Sequence, residues 1–362
     1  MKKRVIIQIA SCALLSLLSV TTIYWFSGST NRSGDFYRLY PPSAIIAHAS
    51  QKFTRDLNYI VGGTSQALYF GHTADPMHVL SLKTSFKDTS TVLINIDRVK
   101  PINFYSVKIQ IDSPYFYYSD GSIPFLYRGL LMDWTINETI EDGLYFQEAV
   151  PVSGSAFIVR CISRSKGENT LGKMVIESNN VDFAYGLLEK QVDGIFCTDG
   201  MLHFDAYLHR IIYLYYYRNQ YIVADPTLHL DFKGNTIDTF RIAQVKTEVL
   251  SLESHKSNRL AVPPPLVNSH SFVYQGWLFV HSNVRAQNDE DATFRRSDII
   301  DVYDLIDGQY VLSFHVPHKE RNALSAFAVL RGKLIVLYDT FMEAYSFNPK
   351  YFDVVRMAAD DY

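Results

Sequence analysis

The sequence predicts an all-β fold, a six-bladed β-propeller preceded by one N-terminal transmembrane helix. Three observations predict it. Apolar runs of four to eight residues recur from about residue 36 to 348, with no long amphipathic helix among them. Turn-forming pairs separate these runs: Asp120-Gly121, Ser153-Gly154, Asp199-Gly200, Gly234-Asn235, Gln275-Gly276, Asp307-Gly308 and Arg331-Gly332. Such pairs reach positive φ, which tight hairpin turns require. Finally, many runs are apolar at both alternating positions. In KLIVLYD (333–339), Leu334, Val336 and Tyr338 form one apolar set and Ile335 and Leu337 the other. A sheet buried on both faces needs neighbours on both faces. Blades stacked around an axis supply them, whereas a two-sheet sandwich leaves one face wet. Roughly 310 residues at about 50 per four-stranded blade give six blades, with seven of about 44 as the alternative.

The first element is the N-terminal apolar run. MKKRVIIQIASCALLSLLSVTTIYWFSG places Lys2, Lys3 and Arg4 ahead of a stretch from Val5 to Phe26. At about 1.5 Å rise per residue this matches the roughly 30 Å hydrocarbon core, and a cleavable signal has only about 7–15 apolar residues. Tyr24, Trp25 and Phe26 suit the far interface, with the Lys/Arg side inside. The expectation is an uncleaved signal anchor over residues 1–27 that holds the chain in a bacterial inner membrane through residues 5–26. It crosses once and leaves the C-terminal body in the periplasm. A cleaved signal is the alternative. Ile9-Ala10-Ser11-Cys12 matches a lipid-attachment box, but the apolar run continues past Cys12, where a lipidated cysteine should close it. A linker (28–48), the propeller (49–350) and a C-terminal tail (351–362) follow.

Within the body, strands are expected at ALYFGH (67–72), TVLINI (91–96), FYSVKIQI (104–111), AFIVRCI (156–162), WLFVHS (277–282), YVLSFHV (310–316) and KLIVLYD. Residues 254–268 carry three consecutive prolines, which lack the N–H of a sheet ladder, and read as an extended connection. Residues 284–298, VRAQNDEDATFRRSD, read as a long charged loop whose Arg295 and Arg296 are candidate contacts.

Composition and motifs exclude several activities. Without Lys2, Lys3 and Arg4, the 34 basic residues fall to 31 against 37 acidic ones, so the surplus that neutralises phosphates is missing and no nucleic-acid partner is expected. Cys161 and Cys197 read as buried free thiols, and no CxxC pair is present. The sequence holds no GxSxG, HExxH, EF-hand, GxGxxG or P-loop pattern. His203 with His209 and His315 with His318 read as satisfied side chains, and Asp298, Asp301 and Asp304 do not share one strand face. No catalytic residue, metal or cofactor is assigned.

HRIIYLYYYRNQYIVADP (209–226) packs five tyrosines into nine positions. A turn at Arg218-Asn219 pairs Tyr216 with Tyr221, Tyr215 with Ile222 and Tyr213 with Ala224. One sheet face then carries Ile212, Leu214, Tyr216, Tyr221 and Val223, and the other carries Ile211, Tyr213, Tyr215, Tyr217, Gln220, Ile222 and Ala224. Both are mostly apolar, so the tyrosines read as packing between blades. Tyr217, Arg218 and Asn219 at the tip are the expected exposed contacts.

Three stretches together carry a resemblance: FTRDLNYIVGGTSQALYFG (53–71), YLYYYRNQYIVADPTLHLDFKGNTIDT (213–239) and SDIIDVYDLIDGQYVLSFHVP (297–317). They resemble membrane-anchored six-bladed propeller proteins of Bacteroidota, which in turn look like NHL/TolB-type propellers. The resemblance implies the fold and the anchor and supplies no catalytic residue. The function expected is a binding scaffold for a protein, peptide or glycan. A propeller hydrolase or cyclase using His and Asp in the central channel is the alternative.

Overall fold

The computed structural model describes residues 2–26, 34–96, 105–140, 143–176, 180–252, 255–320 and 322–358. Helix α1 (Lys2–Phe26) precedes strand β1 (Ile45–Lys52). The first four-stranded sheet is β2 (Tyr59–Gly63), β3 (Ala67–Gly71), β4 (His78–Lys83) and β5 (Thr89–Leu93). The second is β6 (Lys108–Asp112), β7 (Tyr115–Asp120), β8 (Phe125–Leu130) and β9 (Thr135–Ile140). The third is β10 (Glu148–Ser153), β11 (Ala156–Ile162), β12 (Asn169–Val175) and β13 (Val181–Ala184). The fourth is β14 (Gly200–Asp205), β15 (Arg210–Tyr215), β16 (Gln220–Ala224) and β17 (Leu230–Asn235). A hairpin, β18 (Thr247–Leu252) with β19 (His255–Leu260), is inserted before the fifth sheet. That sheet is β20 (Asn268–Tyr274), β21 (Trp277–Ser282), β22 (Ser297–Asp304) and β23 (Gln309–Pro317), with α2 (Asp291–Phe294) between β21 and β22. The sixth is β24 (Ala326–Leu330), β25 (Lys333–Tyr338) and β26 (Phe341–Phe347), closed by β1. Helix α3 (Val354–Ala358) follows.

These are the six blades of a β-propeller, and the pairing of β1 with β26 closes the ring by joining the start of the body to its end. The strands that approach their neighbours across the seams are β2, β6, β14, β20 and β24, with β10 against β14, so the first strand of each blade lines the channel. The cores lie in the seams, one to each. Leu334, Val336 and Tyr338 pack with Phe279 and Ile300 of blade five, while Ile335 and Leu337 pack with Leu68 and Phe70 of blade one. The two apolar sets of KLIVLYD therefore face two different neighbours.

The tyrosine hairpin obeys the same rule. Ile211, Tyr213, Tyr215 and Ile222 pack toward blade three, and Ile212, Leu214, Tyr221 and Val223 toward blade five. Its register differs from expectation: Tyr213 pairs with Ile222 and Leu214 with Tyr221, so the turn spans 216–219. The shift is two residues, and an even shift keeps every side chain on its expected face.

Other expectations hold in part. Gln275-Gly276 and Arg331-Gly332 are two-residue turns with positive φ at both positions, 50° and 74° and then 53° and 64°. Asp199-Gly200 leads into β14 from the preceding blade, and Gly234-Asn235 lies within β17, so neither is a hairpin turn. Part of the proline-bearing connection forms β19. The start of the expected linker, through residue 33, lies outside the described residues. Beyond it, Phe36, Arg38 and Ala44 are buried and β1 begins at Ile45. The expected tail packs as well: Phe352, Arg356 and Met357 are buried. Cys161 and Cys197 are buried free thiols, and burial pushes the Cys161 thiol up to about 11. Helix α1 forms over the expected anchor, yet among the described residues no helix is long and apolar enough to cross a membrane.

Candidate functional site at the channel mouth

Register fixes which residues share one end of the propeller. Each channel strand begins at the end where its blade's second strand stops, as Glu148 opposite Arg160 and Gly200 opposite Tyr215 show. That end, the mouth, collects charged residues from three blades. Lys108 opens β6, Glu148 opens β10, Arg160 lies near the end of β11, and Asp199 immediately precedes β14.

Arg160 organises the group. One Nη donates to Asp199 Oδ1 at 2.5 Å, and Nε lies 3.9 Å from Glu148 Oε2, inside ion-pair range and beyond hydrogen-bond distance. Buried Arg160 Nε has no hydrogen-bond partner. Glu148 accepts from the Leu202 N–H at 3.2 Å. Burial pushes its carboxyl above the ordinary value, against the pull of the neighbouring Lys108 and Arg160 charges. Tyr216 and Tyr217 sit over the same group. The Tyr216 N–H donates to Asp199 O at 3.1 Å, and burial, then the nearby Asp199 carboxylate, raises the Tyr217 phenol. Beside this cluster lies a cleft of about 300 Å³ lined by Ser106, Lys108, Gln110, Ser119, Gln147 and Glu148. Lys108 and Glu148 line that cleft together with Phe146 and Ala149, and the Arg160–Asp199 pair and the two phenols stand beside it, so a ligand there meets charges of both signs next to apolar surface.

The expected site residues fare unequally. Tyr217 is half-buried at the mouth, and Arg295 and Arg296 are exposed beside α2. Arg218 and Asn219 are not an exposed tip, because both are buried. Arg218 lies 3.6 Å from the Tyr215 ring centre and donates to Glu189 O at 2.8 Å. Asn219 is held by the Asp238 carbonyl and by backbone bonds to Phe240 and Thr236. The four-residue turn curls this segment into the wall, where its polar groups find backbone partners. The mouth does not bring Arg295 and Arg296 together with Tyr217 through any hydrogen bond or ion pair described.

Sequence reading missed Lys108, Glu148, Arg160 and Asp199. One signal was present: Arg160 interrupts the apolar strand AFIVRCI, and a buried charge demands partners. The aspartates at spacing three do diverge as expected. Asp298 meets His281 and His318, Asp301 meets Arg38 at 2.7 Å, and Asp304 meets Arg356 at 2.7 Å. One strand thereby ties down the segment before β1 and the C-terminal helix. Asp289 is buried against Arg38 as well. Three of the four loosely spaced histidines are satisfied side chains, as expected: His203 bonds to Ser271, His315 to Ser297, and His318 stands 3.5 Å from Asp298. Among the described residues, no group of three or more His, Cys, Asp or Glu side chains is arranged to hold a metal ion.

No family model matches the chain, and no curated protein matches it. Among solved structures, it matches a member of the DUF4221 family from Bacteroides vulgatus with a TM-score of 0.54 at 12 % identity, over 84 % of this chain and 97 % of that one. In structure, this chain is a six-bladed propeller like that DUF4221 protein. A nidogen/laminin complex (TM-score 0.42, 9 % identity, 72 % of this chain and 81 % of that one) and a mitotic checkpoint complex (0.44, 9 %, 87 % and 80 %) match more distantly, too weakly to carry an argument. At these identities the likeness establishes the fold alone.

Proposed function

We propose that this propeller is a binding scaffold that takes a polar segment of a partner protein or peptide at the channel mouth. The observation that carries the proposal is the convergence of Lys108, Glu148, Arg160 and Asp199 under Tyr216 and Tyr217, with Arg160 Nε left without a hydrogen bond. Charges of both signs beside phenol rings suit a peptide with charged side chains; a glycan is the competing ligand. The same proposal places the body in the periplasm of a bacterium, held to the inner membrane through residues 5–26. That part is supported by the apolar run behind Lys2, Lys3 and Arg4.

A photo-crosslinking residue at Tyr217 tests the site in intact cells, with one at exposed Tyr207, in the turn at the opposite end of blade four, as reference. The expected result is a reproducible protein adduct from position 217 alone. Equal capture from both positions, or adducts with carbohydrate only, would overturn the protein ligand. For the anchor, the mature N-terminus decides: a chain beginning near residue 30 contradicts it.

A further inference from the structure

Strand β20 opens with a register break between Asn268 and His270, the mark of a bulge. A bulge leaves one extra residue in the strand and re-aims neighbouring side chains, a device common beside active sites. Here it brings Ser269 and His270 together against His281 of β21. Ser269 Oγ lies 2.8 Å from His281 Nδ1, and His281 Nε2 lies 3.2 Å from Asp298 Oδ1. Asp298 is held in turn: the Leu324 N–H donates to its Oδ2 at 2.8 Å, and His318 Nε2 stands 3.5 Å from Oδ1. His281 and Asp298 are buried, and Ser269 is half-buried at the mouth end of the channel wall.

A hydroxyl, an imidazole bridging through its two nitrogens, and a carboxylate fixed by a backbone N–H form a proton relay. Such relays are recognised by geometry and role and not by chain order. The surroundings support the roles. Burial alone would raise the Asp298 carboxyl, but the hydrogen bond and charge of His281, with the Leu324 N–H and His318, outweigh it and hold it low. His270 stacks on His281 at 5.7 Å between ring centres, 12° from parallel, and buttresses the ring. The binding proposal for Lys108 and its neighbours does not depend on this group.

We propose that Ser269, His281 and Asp298 form a serine esterase centre acting on short-chain carboxylic esters. Ser269 Oγ bonds to the ester carbonyl carbon while its proton passes to His281 Nδ1, and Asp298 holds the Nε2–H. The intermediate collapses by breaking the carbon–alkoxy bond, and His281 returns the proton to the leaving alcohol. Water then gives a proton to His281 Nδ1 and adds to the acyl carbon. The acid departs as Ser269 Oγ regains that proton, so ester and water yield acid and alcohol. An ester fits better than an amide because an alkoxide leaves with less help from a single shared imidazole.

The test is hydrolysis of p-nitrophenyl acetate by the purified full chain, with Ser269→Ala, Asp298→Asn and Ser271→Ala beside the wild type and melting curves for each. The wild type should turn over, Ser269→Ala should lose at least about a hundredfold in kcat, and Ser271→Ala should keep the wild-type rate. Asp298 positions the imidazole and does not touch substrate, so Asp298→Asn should lower kcat with KM unchanged. A wild-type rate equal to buffer, or a Ser269→Ala rate equal to wild type in a folded variant, would overturn the proposal.

Discussion

Strand β20 carries two serine–histidine contacts two residues apart, and their difference is instructive. Ser271 Oγ meets His203 Nε2 of blade four at 2.7 Å, across a seam. Ser269 Oγ meets His281 of its own blade at 2.8 Å. The first histidine has no carboxylate partner among the described contacts. Burial, then the Lys108 charge reaching across the channel, drives it down to about 4. The second stands on Asp298. One pair of residue types thus gives a neutral, partly buried hydrogen bond in one seam and a relay in the other. The carboxylate and the cation decide which.

The largest effect should come from making the two alike. Asp298→Asn removes the carboxylate under His281, and ester turnover should fall by about 10²- to 10⁴-fold, measured as kcat. Next comes acid stability. His203 and His270 both fall to about 4 in the folded chain, below the unfolded value of about 6.5. The unfolded state therefore binds protons first as pH drops, so stability is lost between about pH 6.5 and 4 and levels off below. His203→Gln should reduce that loss by about 2 kcal/mol, read from denaturant melts at pH 7 and 4.5. An unchanged loss would mean that His203 does not carry it. Smaller still, Ser271→Ala should cost about 1 kcal/mol of stability, the usual net value of one hydrogen bond, and leave turnover untouched. The smallest effect is on a titration: Lys108→Met should move the His203 pKa upward by less than a unit while burial keeps it below the ordinary value. Proton NMR of the imidazole resonances reads it, and a downward shift would contradict the field assigned to Lys108.

The blades were legible because their signal is local. KLIVLYD and the tyrosine hairpin show two apolar faces, and sandwiching between neighbours is the physical cause. Even a hairpin register wrong by two residues left the faces right, since side chains alternate with period two. The sites were less legible because they are not local. Lys108, Glu148 and Asp199 stand between 40 and 91 positions apart in the chain and meet only when the ring closes. Arg218 and Asn219 looked like a surface tip because a two-residue turn exposes its residues, and the longer turn found here buries them. Ser269 escaped notice for a related reason: a bulge that re-aims a side chain has no composition signature in NSHSFVY.

Labelling with a fluorophosphonate, followed by mass spectrometry of the modified peptide, tests the difference between the two contacts most directly. The hydroxyl displaces fluoride from phosphorus, so the adduct marks the serine whose proton a neighbouring base takes. Labelling of Ser269 with Ser271 unmodified is the predicted result. A label on Ser271, or on neither serine, would contradict it.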